Sequence, residues 1–235
     1  AQALGTDKVG GGGTGAVVTF SNTGAAAVAS AATVTMSITG SAGNDIIVGD
    51  VDNKNTIDAG AGHDTITGGS GHDRIYGGAG NDIIYSQGND MGATEIVHGG
   101  AGNDTIYVNG FTASGNYGSY VYGDDGNDTL DASVGDVQSG LYGGTGNDTY
   151  IINNLNNAVI EDSNAGIDTV KSSVTFSLQY GEFLVPNYGS LSTVSDDVEN
   201  LTLTGTGNIN GLGNALANYI LGNTHPLTHI VLQQL

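Results

Sequence analysis

One nine-residue pattern recurs along this chain and governs what it can fold into. Seven tetrapeptides share it: Ala42-Gly43-Asn44-Asp45, Ala61-Gly62-His63-Asp64, Ser70-Gly71-His72-Asp73, Ala79-Gly80-Asn81-Asp82, Ala101-Gly102-Asn103-Asp104, Asp125-Gly126-Asn127-Asp128 and Thr145-Gly146-Asn147-Asp148. Two residues after each Asp stands an apolar or aromatic side chain: Ile47, Ile66, Ile75, Ile84, Ile106, Leu130 and Tyr150. Where copies adjoin, the spacing is nine, as in Asp64, Asp73 and Asp82. The copies Gly68–Tyr76 and Gly77–Tyr85 read Gly-Gly-x-Gly-x-Asp-x-U-x throughout, with U apolar.

The first six residues of each copy form a turn, because Gly recurs where φ is positive or backbones approach closely. The last three, such as Thr65-Ile66-Thr67, form a short strand whose middle side chain points inward. One such strand cannot bury a core. Stacked copies can, because each Ile then lies over the next in an apolar ladder. The Asp and the carbonyls of a turn meanwhile face the equivalent turn of the neighbouring coil. Carboxylates and carbonyls, with no His or Cys at ligand spacing, make a hard-oxygen site suited to Ca2+.

With seven copies in register, the chain resembles the RTX (repeats-in-toxin, haemolysin-type calcium-binding) family. The resemblance implies an all-β fold, a right-handed parallel β-roll or β-solenoid. In it, two nonapeptides make one coil and Ca2+ lies between turns on the same edge. The expected metal residues are Asp45, Asp64, Asp73, Asp82, Asp104, Asp128, Asp148 and Asp168, with the turn glycines Gly43, Gly62, Gly71, Gly80, Gly102, Gly126 and Gly146. If alternate turns share an edge, one column runs Asp45, Asp64, Asp82, Asp104, Asp128, Asp148 and Asp168, in steps of 19, 18, 22, 24, 20 and 20 residues. Asp73 then falls on the opposite edge, among the irregular segments 49–58, 86–98, 108–122 and 132–142. The insertions 86–98 and 108–122 are expected to project there, where length can vary without disturbing the column. Gly88-Asn89-Asp90 imitates the motif one position early and reads as an insertion loop.

The repeats occupy 40–150. Before them, 1–39 is rich in Ala, Gly, Thr and Val, and alternation in 17–21 and 33–38 predicts two or three strands that cap the roll or end a preceding β domain. After them, 151–223 resembles the degenerate coils that follow RTX repeats, with Gln179–Ser195 as a surface insertion and Gly-Asn corners that turn without metal. The tail 224–235 departs from the family pattern. The chain starts at Ala1 with neither Met nor a leader, and is read as a mature protein or a piece of a longer one.

Composition agrees with a cation-binding rod. Gly accounts for 41 of 235 residues, and the formal net charge is −20 from 24 acids against four bases. That balance argues against nucleic acid or an anionic membrane as partner, since nothing here neutralises phosphates. No apolar run reaches the ~20 residues of a spanning helix. Without Cys, neither disulfides nor thiolate metal sites hold the chain together. No zinc helix, nucleophile elbow or phosphate loop is present, so an enzyme is not expected. The pairs Asp124/Asp125 and Asp196/Asp197 read as turn or ligand residues, His63 and His72 as loop residues, and Tyr76, Tyr85, Tyr107, Tyr122 and Tyr142 as strand-closing packing.

The expected function is a calcium-binding structural module of a secreted or cell-surface bacterial protein, adhesive, surface-layer or filament-like. The resemblance implies type I secretion. The alternative is the non-catalytic C-terminal folding and secretion module of a secreted protease, lipase or epimerase. Calcium ions are the expected partner, with self-association or a surface glycan or protein left open. Six Ca2+ between seven column turns would take the formal charge from −20 to about −8, so folding is expected to await calcium outside the cell.

Overall fold

The computed structural model describes residues 17–19, 35–49, 54–69, 71–87, 94–109, 119–134, 139–155, 157–179, 194–225 and 230–231. Among these the chain winds as a parallel β-solenoid without helix. One sheet holds ten strands: Val17–Thr19, Ile46–Val48, Thr65–Thr67, Ile83–Tyr85, Thr105–Tyr107, Thr129–Ala132, Thr149–Ile152, Thr169–Ser172, Asn200–Leu203 and Tyr219–Leu221. The facing sheet holds seven: Thr35–Ser41, Lys54–Ala61, Arg74–Ala79, Ile96–Ala101, Tyr120–Asp125, Gly140–Thr145 and Ala158–Ile160. The chain alternates between the sheets, so two strands complete a coil, and every strand pairing is parallel, as at Thr65↔Ile83 and Arg74↔Ile96.

Period-two alternation explains how three-residue strands suffice. From Ile46–Val48 to Asn200–Leu203 the second residue of each long-sheet strand turns inward, giving the column Ile47, Ile66, Ile84, Ile106, Leu130, Tyr150, Val170 and Leu201. The facing sheet supplies Ile38, Ile57, Ile75, Val97, Val121, Leu141 and Val159. All of these are buried, none more than 3% exposed, and each aliphatic side chain contributes roughly 1.5–3 kcal/mol relative to exposure. The facing strands run longer than the repeat suggests. Arg74–Ala79, Ile96–Ala101 and Gly140–Thr145 continue through Gly-Gly into the turn, because the second glycine stays in register with the neighbouring coil, as at Gly78↔Gly100.

Outward positions stack as well. Tyr76, His98, Tyr122 and Tyr142 form a continuous pile with ring centroids 5.3, 4.6 and 4.6 Å apart, and Tyr85 stacks on Tyr107 at 4.9 Å. In-register parallel strands impose this separation. Within each pile the inner ring faces are taken up by one another.

The flanks join the same winding. Val17–Thr19 pairs with Ile46–Val48, and Thr35–Ser41 with Lys54–Ala61, so both are the solenoid's own strands. Beyond Ala158–Ile160 the second sheet continues, among the described residues, as the bridge Val159↔Val194. A third small sheet of Phe176–Ser177, Gly211–Leu212 and Ile230–Val231 accompanies the last coils, and its final strand lies in the tail.

The insertions are shorter than the sequence reading made them. Ile96–His98 and Tyr120–Tyr122 are regular strand, because their middle residues Val97 and Val121 belong to the apolar column. The remaining variable residues, 88–93 (with Gly88-Asn89-Asp90) and 110–118, lie outside the described residues. Their anchors, Ser86 to Glu95 and Val108 to Ser119, connect the long sheet to its partner on the edge opposite the Asp column.

Candidate calcium column

Each turn on one edge ends in an Asp, and the seven Asp stand in register. The backbone N–H of Asp45 donates to Asp64 Oδ1 at 2.7 Å, and Asp64, Asp82, Asp104 and Asp128 donate in the same way to the next Asp, each at 2.7 Å. Asp148 donates to Asp168 Oδ1 at 2.8 Å, and Asp168 to Glu199 Oε2 at 2.8 Å. From Asp64 to Asp168 one oxygen of each carboxylate is thus spent on holding the coils together, whereas Asp45 Oδ2 accepts from the Ser41 N–H of its own coil at 2.6 Å. The other oxygen is not so spent: Oδ2 of Asp64, Asp82, Asp104, Asp128 and Asp148 is buried with no hydrogen-bond partner among the described residues. All seven Asp are 1% exposed.

Such burial is costly for a charge. It is the main reason that Asp64, Asp104 and Asp168 are pushed up to about 6 and Asp128 to about 7, with Asp82 and Asp148 also raised. The N–H bond from the preceding coil pulls each one back down, and for Asp64, Asp104, Asp128 and Asp168 neighbouring carboxylates push it further up. A row of buried, acceptor-only oxygens demands a cation, and hard oxygen with no nitrogen or sulfur donor fits Ca2+.

The glycines are consequences of this arrangement. Gly102 has φ +131°, and a Cβ there would strike the Gly80 carbonyl of the preceding coil. Its amide donates to the Asp125 carbonyl at 2.7 Å, as Gly62, Gly80, Gly126 and Gly146 donate to their own neighbouring coils. Gly43 differs: its amide donates to Ser41 Oγ at 3.2 Å. At Gly123 a Cβ would fall on Asp128 Oδ2 and the Gly143 carbonyl. The first glycine of the motif therefore makes room for the spare carboxylate oxygen.

A second comb runs on the outer side of the same turns. His63 N–H donates to Asn44 Oδ1 at 2.8 Å, Asn81 N–H to His63 Nδ1 at 2.7 Å, and Asn103, Asn127, Asn147 and Ile167 continue it. His63 replaces Asn here because its Nδ1 offers the same acceptor, which places the ring proton on Nε2. Asp124 and Asp125 do not act as a pair: Asp124 meets His98 Nδ1 at 3.0 Å, while Asp125 accepts from Thr145 Oγ1 at 2.9 Å.

Asp73, with Gly71, lies on the opposite edge. Asp73 Oδ1 accepts from Asn55 N–H at 2.7 Å and Asn55 Nδ2 at 2.9 Å. Strand register places Asn55, Asp73, Glu95, Ser119, Ser139 and Asn157 in one buried column, so among the described residues this column holds two acids, against seven Asp and Glu199 in the other. Reading by motif passed over Glu95, Glu199 and Glu161. Glu199 had a signal, since Glu199-Asn200-Leu201 repeats the Asp-x-U spacing with Glu for Asp. Glu161 had none, because it stands at a glycine position.

A parallel solenoid with a column of buried carboxylates between its turns defines a calcium-binding β-roll, a structural module rather than a catalytic one. The RTX calcium-binding nonapeptide repeat matches four times, at 37–53, 51–84, 92–110 and 114–137, and the repeat block belongs to that family, whose nonapeptides bind calcium ions. No curated protein and no solved structure matches the chain. No helix among the described residues is long and apolar enough to cross a membrane.

Proposed function

We propose that this chain is the calcium-dependent structural rod of a secreted or cell-surface protein, exported unfolded by type I secretion and folded by calcium outside the cell. Asp45, Asp64, Asp82, Asp104, Asp128, Asp148 and Asp168 supply the carboxylate ligands, and the carbonyls of the glycine turns complete each site. Asp73 serves a separate, weaker site on the other edge. The observation that carries this reading is the row of buried Oδ2 atoms with no hydrogen-bond partner among the described residues. A formal charge of −20 adds to it, because stacking the turns without cations concentrates that repulsion along one edge. Extracellular calcium modules bind at about 10⁻⁴–10⁻³ M, far above a resting cytosol, so the chain stays open during export. Calcium titration after chelation, followed by circular dichroism and calorimetry, tests this. Strand signal should rise with saturable calcium uptake, and a strand-rich spectrum that survives exhaustive chelation would remove calcium as the switch.

A further inference from the structure

The repeat is broken at one place where a new side chain enters the column. Ala158–Ile160 pairs in register with Gly140–Tyr142, so Glu161 stands where preceding coils have Gly77, Gly99, Gly123 and Gly143. The turn that follows is longer, with seven residues from Asp162 to Asp168 against five from Gly144 to Asp148, which gives the side chain room. Glu161 folds inward and is 5% exposed. Its Oε1 accepts a hydrogen bond from the Tyr150 hydroxyl, while Oε2 is buried without a partner among the described residues. Tyr150 is itself an exception, since the apolar column holds Ile47, Ile66, Ile84, Ile106 and Leu130 before it.

These two departures serve one place. Oxygens of Asp148, Glu161 and Asp168 lie within 4.8 Å of one another, and all three residues are buried. Asp148 Oδ2 also lacks a partner. The charged groups facing Glu161 are Asp148, Asp168 and Glu199, all acidic. The space above Gly143 that a Cβ would fill is where Asp148 Oδ2, the Tyr150 hydroxyl and Glu161 Oε1 converge. Tyr150 thus orients the glutamate as an outer partner orients a metal ligand.

We propose that Asp148, Glu161 and Asp168 form a closed three-carboxylate site for a hard divalent cation, Ca2+ above all, in the gap of the column between Asp148 and Asp168. It rests on the calcium reading above, and lies beyond the residues matched by the RTX repeat, which end at 137. Three carboxylates make it tighter than a repeat gap, because affinity rises with ligand charge.

Calorimetric calcium titration of the full chain and of Glu161→Gln tests the site, together with terbium luminescence excited through tyrosine. The glutamine variant should lose one tight calcium equivalent, weakened roughly tenfold or more, and keep the rest. Tyr150→Phe should bind that equivalent more weakly, because the glutamate loses its orienting hydroxyl, and should lose much of the sensitised terbium emission, since the Tyr150 ring lies against the site. Wild-type stoichiometry and affinity in Glu161→Gln would overturn the proposal, leaving a protonated, hydrogen-bonded glutamate. If that variant does not fold, unchanged terbium emission in Tyr150→Phe overturns it. A wild-type chain that takes up no calcium refutes the calcium reading itself.

Discussion

Replacing Asp104 by Asn should change stability in opposite directions with and without calcium. Asn keeps the shape and still offers Oδ1 to the Asp82 N–H, now at 2.7 Å, but removes a buried charge. Burial first, then Asp82 and Asp124, push Asp104 from 3.8 up to about 6, net of the hydrogen bond from Asp82 that favours the charge. A rise of that size corresponds to roughly 3 kcal/mol against the ionised form. Solvent screening at the turn reduces it to about 1–2 kcal/mol, which the variant recovers above neutral pH in chelator. With calcium at about 10–100 times the dissociation constant, each occupied gap stabilises by about 1.4–2.7 kcal/mol. Asp104 borders two gaps, so weakening both outweighs the recovered charge and leaves a net loss of about 1–4 kcal/mol. The assay is circular dichroism of osmolyte-induced folding in chelator, beside calcium-induced folding in buffer. Asp104→Asn should need less trimethylamine oxide and more calcium than wild type. A shift of the same sign in both titrations would refute the argument that the column is a set of uncompensated charges awaiting cations.

Ile106→Ala, by contrast, should destabilise with and without calcium alike by about 2–5 kcal/mol, because Ile106 is fully buried in the apolar column; denaturant melts under both conditions check this. Gly123→Ala should cost about 1–3 kcal/mol and lower calcium affinity as well, since the added methyl displaces Asp128 Oδ2; calorimetry that shows unchanged calcium binding would contradict that cause. Acidification should fold the calcium-free chain. Asp64, Asp104 and Asp168 at about 6 and Asp128 at about 7 lie above their ordinary values, so the folded state binds more protons and its stability falls as pH rises from about 4 to 7. Circular dichroism in chelator should show strand signal growing below about pH 6, while calcium affinity weakens over the same range as protons compete for the ligands.

Much of this was legible in the residues. Asp at fixed distance from an apolar residue, repeated seven times, determines that the coils stack, that the Ile column faces in and that the carboxylates share an edge, because each follows from a local period. Stepping by two repeats placed Asp73 opposite Asp64 and Asp82, where strand register puts it. What the motif hid depends on coils of unequal length. Glu161 carries no motif in Val159-Ile160-Glu161-Asp162 until Tyr142↔Ile160 pairing lays it over Gly143. Glu199 lies 31 residues past Asp168, beyond any simple step, until the Asp168 N–H reaches its carboxylate. His98 interrupts the run of tyrosines in sequence and completes their stack in space. The local pattern sets the conformation of each turn and strand, whereas hydrogen bonds between coils choose which residues meet. Those bonds count strand positions and take no account of how many residues lie in the loops between.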